Sequence, residues 1–181
     1  MDELLERNER DWMKATFNEI SVRTKSAGWA RLLWEDTGRV IILSDYGVWS
    51  HYWGCIGERT LAEFLCDLDC HYMGKKMLGS SLYVHSDEET QNEIHRYIIE
   101  ARKDSTFGKE NAREEMDLLA DYRDGYRDFF GWACETSIGD QYEMTRTEMH
   151  HDWKNFWDRL WVPEIKPILV KYSIDAIPVA R

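Results

Sequence analysis

Arg39-Val40-Ile41-Ile42-Leu43 is a run of mainly branched apolar residues, and Ser44-Asp45-Tyr46-Gly47-Val48-Trp49-Ser50-His51-Tyr52-Trp53-Gly54 follows it directly. Branched apolar residues favour strands, and rings alternating with polar groups are typical of a half-buried strand. Tyr46-Gly47 is suited to a bend or bulge between the two halves. The stretch therefore predicts a β-ribbon, and this ribbon decides the fold of the N-terminal half.

Two further strand patterns precede the ribbon. Residues 17–24 alternate apolar and polar side chains with a period of two, and residues 29–34 form a second apolar run. The turn-forming sequence Glu35-Asp36-Thr37-Gly38 then leads into the ribbon, as in a β-hairpin. We therefore expect an N-terminal antiparallel sheet of three to four strands.

Helix signals begin after the ribbon. Thr60 and Glu63 have the spacing of a capping box, and so do Ser86 and Glu89. Each box is followed by apolar residues at helical spacing: Leu61, Phe64, Leu65, Leu68 and Tyr72 after the first, and Ile94, Tyr97, Ile98 and Ala101 after the second. The first helix should cover the sheet and end at Gly74 or Gly79, and the second should end at Gly108.

Two more helices are expected, one from about Glu110 toward Phe130 and one over residues 142–161, just before Pro163. The second has a stripe that we expect to be core: Met149, Trp153, Phe156, Trp157, Leu160 and Trp161. Residues 168–170 are expected to be extended. The fold class is α+β, with the sheet packed against a helix and a mainly helical C-terminal half. The 181 residues suit one domain, with an α+β part at about 1–86 and a helical part at about 87–181.

Charge is unevenly distributed along the chain. The net charge is −11, and residues 87–161 contribute −9 of it with 19 acidic and 10 basic residues. This charge would repel nucleic acid and attract basic surfaces, although a solvated face is the simpler explanation. The sequence starts without a secretory leader and has no apolar run of about 20 residues. We therefore expect a cytoplasmic protein with reduced cysteines and no membrane association.

Cysteines and histidines concentrate in one region: His51, Cys55, Cys66, Cys70 and His71. Structural zinc sites usually use pairs of close cysteines, and this spacing does not provide two of them. Buried thiols that pack as small hydrophobes are the simpler interpretation, and we expect no metal or cofactor. A Cys/His site around His51, Cys55 and His71 that modifies a nucleotide or a host protein remains the enzymatic alternative.

The ribbon also provides the candidate contact residues, because large amphipathic rings often anchor interfaces. We expect Asp45, Tyr46 and Trp49 to be exposed, Tyr52 to contribute, and Trp53 to be buried. No Lys or Arg lies between Arg39 and Arg59, so direct nucleic-acid binding is not expected. A second candidate surface is acidic and helical: Asp117, Asp121, Asp124 and Asp128.

The ribbon, the segment Thr60-Leu61-Ala62-Glu63-Phe64-Leu65, Leu68-Asp69, Tyr72 and Lys75-Lys76-Met77 together resemble a pattern in small accessory proteins of bacteriophages and prophages, most of them uncharacterised. The resemblance covers about residues 38–78. It implies a phage product made inside a bacterial cell, and it carries no catalytic residues. Small acidic phage proteins of this kind commonly bind host proteins, including restriction or CRISPR components.

The leading hypothesis is therefore a non-enzymatic phage inhibitor of a bacterial defence system that acts by protein–protein binding. The partner would be a host defence protein or nuclease complex, and the acidic face could occupy a groove evolved for nucleic-acid phosphates. A dimer is compatible with the sequence. Besides the enzymatic alternative, a regulatory or structural phage protein without a defence role stays open.

Overall fold

The computed structural model describes residues 16–175, in which two sheets and seven α-helices form. The strands are β1 (Asn18–Arg23), β2 (Trp29–Trp34), β3 (Arg39–Ser44), β4 (Gly47–Tyr52), β5 (Tyr83–His85) and β6 (Thr147–Met149). The helices are α1 (Leu61–Asp67), α2 (Cys70–Leu78), α3 (Asp87–Lys103), α4 (Lys109–Arg123), α5 (Phe129–Glu135), α6 (His151–Phe156) and α7 (Lys166–Asp175). A π-helical segment, Trp157–Ile165, joins α6 to α7. None of the helices in this part of the chain has the length and apolar character needed to cross a bilayer.

The described chain divides into two compact units. Residues 16–79 and 151–175 form the first, and Ser80–His150 form the second. The first unit holds the four-stranded sheet, whereas the second is mainly helical. The α+β fold class is thereby confirmed, and the organisation as one domain stays a prediction.

The sheet of the first unit has the order β1-β2-β3-β4, and every neighbouring pair is antiparallel. This is the meander that the strand patterns predict. Because side chains alternate across a strand, one face collects the buried apolar residues. These inner-face residues are Ile20, Ala30, Leu32, Trp34, Val40 and Ile42.

Rings from the C-terminal helices pack on this inner face. Trp49 lies edge-on to Trp153, with ring centroids 5.1 Å apart, and against Phe156 at 5.2 Å. Trp34 meets Tyr172 of α7 edge-on at 5.2 Å. Most of the predicted stripe is core: Trp153, Phe156, Leu160 and Trp161 are buried. Trp157 is half-buried, and Met149 lies in β6 instead of the helix. The first unit is therefore a sheet covered on one side by the segment 151–175.

The helix that begins after Thr60 is shorter than the apolar pattern predicts. The capping box is present: the Glu63 amide donates to Thr60 Oγ1 at 3.2 Å, and the Thr60 amide donates to Glu63 Oε2 at 2.8 Å. However, α1 ends at Asp67, because Asp69 accepts from the Tyr72 amide at 2.8 Å and starts α2. Tyr72 is consequently 39% exposed and does not continue the stripe.

The prediction of one helix over residues 142–161 is wrong in its first half. Residues Gln141–Met144 form a 3-10 turn, and β6 pairs with β5 before α6 begins at His151. The expected stop at Pro163 is also wrong. A π-helical turn accommodates the missing amide donor, and the Lys166 amide donates to the Trp161 carbonyl five residues earlier. Residues 168–170, expected to be extended, lie in α7.

The second unit is built on α3, α4 and α5. Its core includes Ile94 and Ile98 of α3, Leu119 of α4 and Trp132 of α5. The buried Glu115 carboxylate accepts from the Ser137 amide and hydroxyl, both at 2.7 Å, and from the Thr136 hydroxyl at 2.5 Å. This network holds the chain that leaves α5 against α4.

Helix ends in this unit differ from the expectation in two places. The Ser86 hydroxyl caps α3 as predicted, but α3 ends at Lys103, and Gly108 is the N-cap of α4 rather than the stop of α3. The stretch expected as one helix toward Phe130 is two helices. Gly125 takes a left-handed φ of 77° after α4, and Asp128 caps α5 by accepting from the Gly131 amide at 2.7 Å.

Candidate recognition surface

The face of the four-stranded sheet opposite the helices carries an apolar centre. By strand register, Leu33, Ile41, Leu43 and Val48 point to this side and lie next to one another on β2, β3 and β4. Val48 is 68% exposed, and the other three are half-buried. We call this side the outer sheet face. Apolar side chains that lie together in partial contact with solvent are typical of a surface that binds another molecule.

Arginines surround this apolar centre. Arg23, Arg31 and Arg39 have the outward register on β1, β2 and β3. Arg31 Nε lies 3.1 Å from Glu19 Oε1, and Arg39 Nε lies 3.1 Å from Glu35 Oε1. An apolar centre with a polar, arginine-rich rim is the usual composition of a protein–protein interface.

Tyr52 is the one predicted contact residue of the ribbon that belongs to the outer sheet face. It stands opposite Arg39 at the end of β4, and it is 57% exposed. Trp49 has the opposite orientation and is half-buried on the core rings Trp153 and Phe156. Trp53 is 5% exposed, so its expected burial is confirmed. Because side chains alternate between the two faces of β4, rings that are close in sequence point to opposite sides of the sheet.

Tyr46 and Asp45 lie in the turn between β3 and β4 and hold neighbouring chain in place. The Tyr46 hydroxyl donates to the Ala27 carbonyl at 3.1 Å, and it accepts from Arg159 Nη1 at 3.4 Å. Asp45 is exposed, as expected, but its Oδ2 also accepts from the Trp29 amide at 3.0 Å. These residues therefore have structural partners, and Tyr46 is half-buried rather than fully exposed.

The predicted acidic residues belong to the second unit. Asp117, Asp121 and Asp124 follow helical spacing along α4, which places them on one side of it. Asp117 and Asp124 are exposed. Asp121 accepts from Arg127 Nε at 3.3 Å, and Asp128 is the N-cap of α5. Of these four, only Asp117 and Asp124 thus combine exposure with the absence of a side-chain partner among residues 16–175. The second unit contains 17 acidic and 8 basic residues, so most of the net charge lies there.

Two cysteines of the cluster, Cys66 and Cys70, are not activated for nucleophilic chemistry, whereas Cys55 is exposed to solvent. Burial raises the pKa of the Cys66 thiol, and it raises the pKa of Cys70 to about 11. A reactive cysteine needs the opposite shift, because the thiolate is the nucleophile. Burial, with a smaller effect of Lys76, lowers the pKa of His51, whose ring packs on Trp53 at 4.5 Å. In the described part of the chain, no three His, Cys, Asp or Glu side chains are grouped as a metal site.

The sequence patterns did not predict most of the residues that form the outer sheet face. Conspicuous rings mark the ribbon in the sequence, whereas this surface consists largely of aliphatic residues and arginines from four separate strands. Strand register would have identified this surface. Side chains at alternate positions of a strand point to the same face, so the register shows on which face each residue lies. Val48 and Tyr52 are four positions apart on β4 and point to the outer sheet face, whereas Trp49 points to the inner face.

The sequence model of a phage family matches residues 11–171 of the 181. No curated protein and no solved structure matches the chain.

Proposed function

The chain belongs to this phage family, and from that premise we propose that it inhibits a bacterial defence system by binding one of its proteins. The partner is a restriction or CRISPR component in the bacterial cytoplasm. Inhibition needs no chemistry by the phage protein, because occupation of a working surface is sufficient.

The observation that carries this proposal is the composition of the outer sheet face. Exposed apolar side chains lose unfavourable contact with water when a partner covers them. Val48 and Tyr52 are the exposed members, and Leu33, Ile41 and Leu43 extend the apolar area beside them. Tyrosine and arginine are among the residues that contribute most to protein interfaces, which supports anchoring by Tyr52 and Arg39.

The acidic side of α4 has a separate role in the proposal. Exposed charges contribute little to final affinity but accelerate the encounter with an oppositely charged surface. Defence nucleases carry basic grooves for nucleic acid. Asp117 and Asp124 are the members of the acidic set that are exposed and have no side-chain partner among residues 16–175, and they steer the protein toward such a groove.

Plating of phage on bacteria with an active restriction or CRISPR system tests the proposal. Cells that express the wild-type chain should give a plating efficiency at least about tenfold above cells with an empty vector. Val48→Glu places a charge in the apolar centre and should abolish this gain. The matched control is Val162→Glu, at a 45% exposed valine of the π-helical segment, and it should keep the gain.

Both variants change an exposed valine, so their effects on folding should be small. Circular dichroism and thermal melting verify this. A chain that raises plating on none of the defended strains contradicts the defence role. Equal activity of Val48→Glu and the wild type contradicts the role of the outer sheet face.

A further inference from the structure

A small cleft lies at the end of the sheet where β1 turns into β2. Its lining residues are Arg23, Thr24, Gly28, Trp29 and Asp45, and its volume is ≈ 270 Å³. Drug-sized ligands occupy pockets of roughly 300–1,000 Å³. The cleft therefore suits a smaller group, such as a single planar ring system.

Two turns fix the walls of this cleft. In the β1–β2 turn, the Ala27 amide donates to Thr24 Oγ1 at 2.8 Å, and the Thr24 amide donates to the Gly28 carbonyl at 2.8 Å. The β3–β4 turn is tied to it through Asp45 Oδ2, which accepts from the Trp29 amide at 3.0 Å. Because both walls are held by hydrogen bonds, the cleft is formed without a ligand. Preformed sites lose less entropy on binding.

The cleft contains opposite charges that do not pair with each other. Arg23 and Asp45 both line it, yet neither takes part in an ion pair within residues 16–175. Asp45 uses Oδ2 for the Trp29 amide and keeps Oδ1 as an acceptor. Trp29 stands directly opposite Arg23 on the neighbouring strand and adds an aromatic surface. The cleft thus offers several donors from a guanidinium, one charged acceptor and a ring.

We propose that this cleft binds a guanine base. Guanine presents two adjacent acceptors, O6 and N7, and arginine pairs with them in a bidentate manner. Its N2 amino group is a donor that suits a carboxylate, and its flat surface stacks on an aromatic side chain. Adenine offers only one acceptor on the corresponding edge, and cytosine presents a donor there. Arg23, Asp45 and Trp29 are therefore complementary to guanine more fully than to the other bases.

A guanine site at this cleft departs from the expectation that nucleic acid is not bound directly. That expectation rested on the lack of Lys and Arg between Arg39 and Arg59 and on the negative charge of residues 87–161. Strand pairing brings Arg23 from β1 to the same end of the sheet as Asp45. Binding of guanine goes beyond defence inhibition and does not depend on it.

Calorimetric titration of the full chain with GMP, AMP, CMP and UMP tests the inference. GMP should bind at least about tenfold more tightly than the other three, since one bidentate pair contributes about 1–3 kcal/mol of discrimination. A single-stranded DNA heptanucleotide, with a guanine at its centre and thymine at the other six positions, is titrated in parallel. Tighter binding of GMP identifies a free nucleotide as the ligand, and tighter binding of the oligonucleotide identifies a single strand.

Two variants test whether Arg23 and Asp45 bind the guanine base. Arg23→Gln removes the bidentate donor, and Asp45→Asn keeps an acceptor for the Trp29 amide while replacing the second oxygen by a donor. Each should weaken the binding of the guanine probes at least about tenfold. Lys25→Gln, an equal loss of charge in the same turn outside the cleft, should change it less than about twofold. Equal affinity for all bases, no binding of any probe, or an effect of Lys25→Gln equal to that of Arg23→Gln overturns the proposal.

Discussion

At the scale of single residues, Gly28 and Asp45 explain how two distant turns are joined. Gly28 has a φ of 86°, a left-handed conformation that side chains with a Cβ rarely adopt. A Cβ at this position would also lie 2.3 Å from Asp45 Oδ2. Glycine therefore permits both the turn and the close approach of the carboxylate that fixes the Trp29 amide.

The Gly28→Ala variant separates these two effects when it is compared with Gly57→Ala. Gly57 has a similar φ of 74°, but among the described residues no atom lies within 4 Å of the place that a Cβ would take there. Gly57→Ala should lose about 1–2 kcal/mol of unfolding free energy through the backbone alone. Gly28→Ala should lose at least about 1 kcal/mol more, because the methyl group displaces Asp45. Urea denaturation measures both, and equal losses would show that Asp45 is not held against Gly28.

At the scale of elements, local polar residues override apolar patterns. Asp69 interrupts a stripe that continues from Leu61 to Tyr72, because its carboxylate satisfies an amide at the start of a new helix. The opposite occurs at Pro163, where a helix continues through a residue that normally ends it. Periodicity identifies which segments are helical, but it does not show where side chains cap them or where the hydrogen-bond spacing widens.

The exposed acidic residues of α4 are proposed to accelerate association with a basic partner. Asp117→Lys with Asp124→Lys reverses the two exposed charges without a side-chain partner and leaves Asp121 and Asp128 to their structural partners. Association with the proposed defence-protein partner should slow about tenfold at low salt. The corresponding Asn variants, with half the change in charge, should have a smaller effect. Stopped-flow measurements should show the difference disappearing in about 0.5 M salt. A loss of rate that salt does not remove would contradict steering.

At the scale of the whole molecule, the sheet was predictable and the candidate recognition surface was not. The strand patterns at residues 17–24 and 29–34 and the ribbon predict an antiparallel sheet of three to four strands because alternation is encoded locally. The outer sheet face depends on residues from four strands, and its composition appears only after their register is known. The pairing of β5 with β6 is similarly non-local, so residues 147–149 resemble the start of the helix that follows them.

The affinity of the purified chain for the defence protein that we propose as its target tests the central claim most directly. Biolayer interferometry would compare the wild type with Val48→Glu and the control Val162→Glu. If the outer sheet face is the binding surface, Val48→Glu weakens binding at least about tenfold, a loss of about 1.4 kcal/mol. Val162→Glu then stays within about twofold of the wild type. Unchanged affinity of a correctly folded Val48→Glu variant would contradict the assignment of this surface.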